Sequence, residues 1–157
     1  MTFLKQPKPL KITKRWVEKE FKYLYEFLED TNPSHTDPYN PKELGVACSL
    51  HSKEVGWKIT ERNQICKKPT NWKTTDSSPF LHAEAAAVLK CVECHIKEFT
   101  VAVVTHSPCP YCLKLLIYLG ITEIYFSNER EDYFKSKELA DLYEVRLKQI
   151  SNPPEKS

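Results

Sequence analysis

From residue 99 onward the chain alternates in a way that leaves few folds open. FTVAVVTHS is a β-branched run of the kind that forms a buried strand, and CLKLLIYLG, introduced by Pro110, reads as a helix stopped by Gly120. TEIYFSN then reads as a strand, SKELADLYEVR as a helix and LKQIS as a short last strand. Strand, helix, strand, helix, strand predicts parallel strands joined by right-handed crossovers. The upstream half fits around such a unit. Val17, Phe21, Leu24 and Leu28 recur at helical spacing between residues 13 and 29, and residues 44–50 and 56–65 read as two strands joined by the turn HSKEV. A further helix opens near His82 and runs through EAAAVLKCVEC, after the long polar connection CKKPTNWKTTDSSP. The expectation is a single α/β domain over residues 1–157, three-layer α/β/α, on a mixed sheet of about five strands. Pro7 and Pro9 make residues 1–12 an extended arm, and residues 152–157 a polar tail.

Composition narrows the function classes. With 157 residues, 41% of them hydrophobic, the chain can bury a core without disulfide staples. A net charge of +2 is too mild for a concentrated nucleic-acid-binding face, so nucleic acid is a possible but not a favoured partner. A small phosphorylated ligand is compatible with it. Lys5, Lys8, Lys11, Lys14 and Arg15 read as a solvated basic arm, and no apolar h-region accompanies them. No apolar run approaches the roughly 18 residues of a membrane span, so no membrane association and a cytoplasmic location are expected. Thiols stay reduced there. The six cysteines are therefore ligands, catalytic groups or core residues before they are disulfides.

Two short segments carry the chemistry: His82-Ala83-Glu84 at one helix start, and Pro108-Cys109-Pro110-Tyr111-Cys112 at the next. Cys109 and Cys112, three apart on a first helical turn, face one side. Joined to His82 they form a nitrogen-and-sulfur set of three that suits Zn²⁺ and leaves its fourth tetrahedral position for water. Cys91 and Cys94 offer a competing arrangement, a second Cys-x₂-Cys placed 14 residues ahead of Cys109, close to the spacing of a closed four-cysteine site. Geometry argues against it. A helix over residues 84–95 rises about 18 Å away from His82, and the next strand climbs back roughly 23 Å, returning Cys109 to the level of His82. At the two helix N-termini unpaired N–H groups and the helix dipole favour thiolate. Glu84, two residues from a ligand, can exchange a proton with a metal-activated water.

His-Ala-Glu followed by Pro-Cys-x-x-Cys resembles the signature of the cytidine and deoxycytidylate deaminase superfamily. The resemblance spans roughly residues 44–126 and implies the cytidine-deaminase-like fold. It implies that His82, Cys109 and Cys112 bind zinc and that Glu84 shuttles protons while zinc-bound hydroxide attacks the amine-bearing carbon of a cytosine. It further implies that the Ala83 N–H contacts the base carbonyl, that the Ser107 carbonyl accepts from the amine and that Asn63 holds the sugar. Thr-His-Ser-Pro-Cys-Pro-Tyr-Cys and the insertion between Asn63 and His82 are most similar to the deoxycytidylate branch, which makes dCMP to dUMP the leading reaction and a nucleotide the small-molecule substrate. Glu61-Arg62-Asn63-Gln64 replaces the usual Gly-Tyr-Asn-Gly element, and Ala-Ala-Ala follows Glu84 in place of Asn-Ala.

Other readings compete at named residues. Within the superfamily the substrate alternatives are cytidine, guanine and tRNA adenosine; from another class, a non-catalytic binding module would hold zinc with Cys91, Cys94, Cys109 and Cys112. Cys91, Cys94 and His95 are candidates for a second metal. Arg62, Lys67, Lys68 and Lys73 are candidate phosphate contacts or a solvated loop offset by Glu61 and Asp76. His106 either faces the pocket or packs. A homo-oligomer is expected.

Overall fold

The computed structural model describes residues 3–5, 9–30, 45–65, 80–96 and 98–150. Lys67, Lys68, Lys73, Asp76 and the polar tail lie outside them. Helix α1 (Lys14–Asp30) starts where the Thr13 hydroxyl accepts from the Trp16 N–H at 3.1 Å, which satisfies one of the free donors of a first helical turn. Its buried stripe is the expected one: Val17, Phe21, Leu24 and Leu28 are all at most 3% exposed.

Strands β1 (Phe3–Lys5), β2 (Ala47–His51) and β3 (Trp57–Arg62) are followed by a small hairpin-like pair, β4 (Gln64–Ile65) and β5 (Phe80–Leu81). Then come α2 (Ala83–Glu93), β6 (Val101–His106), α3 (Pro110–Leu119), β7 (Glu123–Asn128), α4 (Tyr133–Leu142) and β8 (Arg146–Gln149). The main sheet runs β1-β3-β2-β6-β7-β8. Strands β6, β7 and β8 are parallel, as the alternation of elements predicts, and the other pairings are antiparallel.

Helix α1 covers one face through Ala47, Val101, Val103 and Tyr125. The other face packs α2, α3 and α4 over Cys48, Leu50, Ile59, Val104, Ile124 and Phe126. The three-layer expectation holds, with one addition. Part of the N-terminal arm is a sixth strand, β1, pairing Phe3 with Ile59 at the free edge of β3. Nothing in a three-residue segment marks it as a strand; the neighbouring edge supplies the hydrogen-bond partners.

Two further differences have local causes. The last helix spans residues 133–142, where the sequence suggested 136–146. Glu144 takes a left-handed φ of 56° and Val145 N–H donates to the Ala140 carbonyl at 2.8 Å, so the helix closes without a glycine to announce it. Residues 64–65, expected as the end of the strand 56–65, instead form β4, which pairs with β5 on the other side of the polar connection and aligns Gln64 with Leu81, so that Asn63 and His82 are next in register. Among the described residues no helix is long and apolar enough to cross a membrane.

Beneath α1 the sheet buries an ionic cluster. Lys58 Nζ lies 3.0 Å from Glu20 Oε1 and 2.9 Å from Oε2, over the Tyr23 ring at 3.6 Å. His51 Nε2 lies 3.4 Å from Glu20 Oε2 and 2.7 Å from Ser49 Oγ, with Trp16 edge-on to its ring. Burial raises the Glu20 carboxyl, but hydrogen bonds and charge from His51 and Lys58 outweigh this and bring it to about 2. Burial also lowers His51, leaving it neutral at pH 7, so Lys58 is the partner that keeps Glu20 ionised there. Both folded pKa values lie below their ordinary values of 4.5 and 6.5, so the unfolded chain takes up protons first as pH falls. Stability is full above pH 6.5 and is lost progressively below it, His51 first and Glu20 next. Between pH 7 and pH 4 the melting temperature is expected to fall by roughly 5–10 °C. In Glu20→Gln the part of that slope below pH 4.5 should flatten, as scanning calorimetry can measure.

Candidate active site

The two segments singled out in the sequence meet at the ends of α2 and α3. His82 is the residue before α2, extended at φ −64° and ψ 151°, delivered there by β5. Cys109 caps α3 with φ −68° and ψ 162°, and its sulfur accepts from the Cys112 N–H at 3.4 Å. Pro110 occupies the first helical position, where its missing N–H costs nothing and its φ is already helical. Parallel pairing of β6 with β7 sets the level of the Cys109 turn, because both strands end at the same edge of the sheet.

His82 Nδ1 lies 3.2 Å from Cys112 Sγ and 3.7 Å from Cys109 Sγ, and the three donor atoms lie within 4.8 Å of one another. These separations approach those between ligands of a tetrahedral zinc, roughly 3.5 Å from bond lengths of 2.0–2.3 Å. Among the described residues this is the only group of three or more such side chains. The hydrogen bond from Cys112 brings Cys109 to about 3 against the opposing effect of burial, with His82 adding to it. The same bond, together with burial, pushes the Cys112 thiol up, and the bond to Cys109 raises His82. One thiolate, one thiol and an imidazole at these distances form a set that a divalent cation completes by displacing the remaining protons.

Glu84 is on the first turn of α2 and is fully buried. Neither carboxylate oxygen has a hydrogen-bond partner in another residue. Burial raises its pKa, opposed first by the charge of Arg130. An ionisable group buried without a protein partner beside a metal-ligand set is costly to the fold and useful to chemistry. It is the observation that best fits a reacting centre here.

The remaining candidates are placed as follows. Ala83 opens α2; the first bond of the helix runs from Ala86 N–H to the His82 carbonyl, which leaves the Ala83 N–H without a helical acceptor. Ser107 is buried, its N–H donating to the Asn128 carbonyl and its Oγ accepting from the Arg130 N–H, both at 2.8 Å, so its carbonyl is the group left for a ligand. Asn63 Oδ1 accepts from the Val46 N–H at 2.9 Å and lies where a Cβ on Gly45, at φ +95°, would come within 2.5 Å of it. Its Nδ2 amide is the part it can offer a ligand.

Four sequence expectations are corrected or resolved. Cys91 and Cys94 do not join Cys109 and Cys112: Cys91 packs in the core with Cys48, where burial pushes its thiol up to about 12. Among the described residues no metal-ligand group contains Cys91, Cys94 or His95. Arg62 is buried and reaches the Leu28 carbonyl at 3.4 Å, so it braces α1 instead of facing a phosphate. His106 is half-buried with Nδ1 3.0 Å from Thr105 Oγ1, and burial with the nearby Arg130 lowers it to about 4, which keeps it neutral.

Residues 42–128 match the sequence profile described as the cytidine and deoxycytidylate deaminase zinc-binding region. The match covers more than half of the chain and includes His82, Glu84, Cys109 and Cys112. The chain belongs to this family. It is accordingly a zinc-type hydrolytic deaminase acting on a C–N bond, with His82, Cys109 and Cys112 as a fitting zinc site.

Solved structures agree in fold. The deaminase is similar to a dCMP deaminase from the cyanophage S-TIM5 solved with dCMP and dUMP, at 19% identity and a TM-score of 0.66 over 89% of this chain and 100% of the other. It is also similar to a diaminohydroxyphosphoribosylaminopyrimidine deaminase and reductase from Thermotoga maritima, at 14% identity and a TM-score of 0.61, covering 87% of this chain but 36% of that bifunctional one. A guanine deaminase from Nitrosomonas europaea matches at 13% identity and a TM-score of 0.57 over 92% and 80%. None of the curated proteins compared matches in sequence.

The sequence reading missed Arg130, which acts electrostatically on Glu84, His82, Cys112 and His106 together. The available signal was its position, in a loop just past the carboxyl end of a parallel strand, where ligands of α/β sheets bind.

Proposed function

We propose that the deaminase converts dCMP to dUMP, with Glu84 as the proton shuttle and His82, Cys109 and Cys112 as the zinc ligands. The observation that carries the catalytic part is the buried, unpartnered Glu84 carboxylate beside the three donor atoms. Zinc, when bound there, supplies the Lewis acidity that makes a water nucleophilic near neutral pH.

Glu84 takes one proton from the attacking water and delivers it to the ring nitrogen beside the amine-bearing carbon. It then takes the second from the hydroxyl so formed on that carbon and gives it to the amine, which leaves as ammonia while the carbonyl forms. The Ala83 N–H orients the base through its carbonyl, and the Ser107 carbonyl accepts from the amine. Asn63 holds the sugar through Nδ2. Burial of Glu84 and Ser107, both fully enclosed, excludes bulk water from the transfer.

The choice of dCMP rests on the THSPCPYC motif and on the full-length fold match to a dCMP deaminase. A cytoplasmic protein that assembles with its own copies fits this reading; apolar Leu89, Val92, Tyr111 and Tyr118 stand 51–93% exposed on α2 and α3, surface that a second copy would cover. Ammonia release from dCMP, cytidine, guanine and a tRNA anticodon stem tests the substrate. The kcat/KM for dCMP should exceed each of the others by at least about tenfold. Turnover of another substrate with none of dCMP would replace it.

A further inference from the structure

The charge of Arg130 reaches Glu84, His82, Cys112 and His106, and nothing in the mechanism above uses it. It follows β7 by two residues. Its backbone is pinned next to the zinc-ligand segment, the N–H donating to Ser107 Oγ at 2.8 Å. The same loop is held from its far side by Ser136 Oγ, which donates to the Pro108 carbonyl at 2.6 Å. The residue is thus placed by two anchors on the turn that carries Cys109.

Its side chain is different. Arg130 Nε is buried and has no hydrogen-bond acceptor, and among the described residues no carboxylate pairs with the guanidinium. A buried guanidinium N–H without an acceptor costs on the order of 1–3 kcal/mol, which a fold does not carry at a defined position unless something else supplies the acceptor. Guanidinium forks match phosphate oxygens in geometry and charge. Of the other cations considered for that task, Arg62 reaches the Leu28 carbonyl at 3.4 Å, and Lys67, Lys68 and Lys73 lie outside the described residues.

We propose that Arg130 is a specificity-determining residue that receives the phosphate of a nucleoside monophosphate and so makes the enzyme prefer the nucleotide over the nucleoside. The proposal deepens the dCMP reading and rests on it for the choice of base. It does not rest on it for the phosphate.

The test measures binding and turnover separately on the full-length, zinc-loaded protein. Calorimetric titration with dUMP and with deoxyuridine should show the wild type binding the nucleotide about 10- to 100-fold more tightly. Arg130→Gln should bring the two affinities within about threefold of each other, and Arg130→Lys should restore part of the gap, because a point charge replaces a fork. In turnover the loss on dCMP should fall on KM more than on kcat.

Equal affinities for dUMP and deoxyuridine in the wild type overturn the proposal, as does a nucleotide preference that survives in Arg130→Gln. If both variants melt more than about 5 °C lower and keep the preference, Arg130 is structural and the proposal again falls. A wild type that fails to deaminate dCMP, yet loses its preference for dUMP in Arg130→Gln, sinks the dCMP reading and upholds the phosphate site.

Discussion

Glu84→Gln is expected to remove turnover while leaving the zinc and the fold in place. The side chain is fully buried, and neither oxygen is held by another residue. The amide has the same shape but cannot accept and return a proton at neutral pH. A positioned acid–base group contributes about 100- to 10 000-fold to a rate, so kcat should fall by at least about 100-fold. Stability should move the other way or stay level, because the substitution breaks no protein hydrogen bond and removes an ionisable group whose charged form burial disfavours. The combination is diagnostic. Activity within about tenfold of wild type would sink the shuttle role, and loss of zinc would mean that Glu84 is a ligand. The measurements are steady-state ammonia release, zinc content by atomic emission and a thermal melt.

The second large effect distinguishes the two cysteine pairs. Cys112→Ser is expected to take the zinc content from about one ion per chain to nearly none, with activity lost in parallel, because it removes one of only three ligands. The Cys91→Ala, Cys94→Ala double variant should keep its zinc. It should nonetheless be less stable, by about 1–2 kcal/mol, since Cys91 is 1% exposed and packs among Cys48 and Ala87, where truncation leaves a cavity. Zinc lost from the double variant and retained in Cys112→Ser would reverse the assignment. Binding stabilises only the folded state, so added chelator should lower the melting temperature of the double variant and leave that of Cys112→Ser unchanged.

Much of this site was legible because its determinants are local. His82 and Glu84 are two residues apart, Cys109 and Cys112 three, and each pair is set by the first turn of one helix. The spacing along the intervening helix and strand was enough to return Cys109 to His82, since both elements have fixed rises per residue. Asn63 was legible as a residue but not as a contact: only the β4–β5 pairing brings it into register with His82, and half of its amide already holds Val46.

Arg130 and Arg62 show the limit in opposite directions. Both are arginines at strand ends. Sequence gave Arg62 the better claim to a phosphate, as it adjoins the substrate loop, yet its guanidinium runs under α1 to the Leu28 carbonyl. Arg130, in an unremarked loop, ends with its Nε buried near Glu84 and without an acceptor. Which arginine is left with a buried N–H and no acceptor depends on contacts between residues more than 20 positions apart, and no local pattern encodes those.

The amino-acid sequence by itself determined the parallel unit from residue 99, the amphipathic α1, the donor types at the metal and the acid beside it, because periodicity and short-range spacing fix what lies on one face of one element. The tertiary structure alone decided that the N-terminal arm adds a strand to β3, that Glu84 is left without a protein partner and that the charge of Arg130 reaches it. Those outcomes are sums of many weak, non-local contacts, and they exist only once the sheet has brought the segments together.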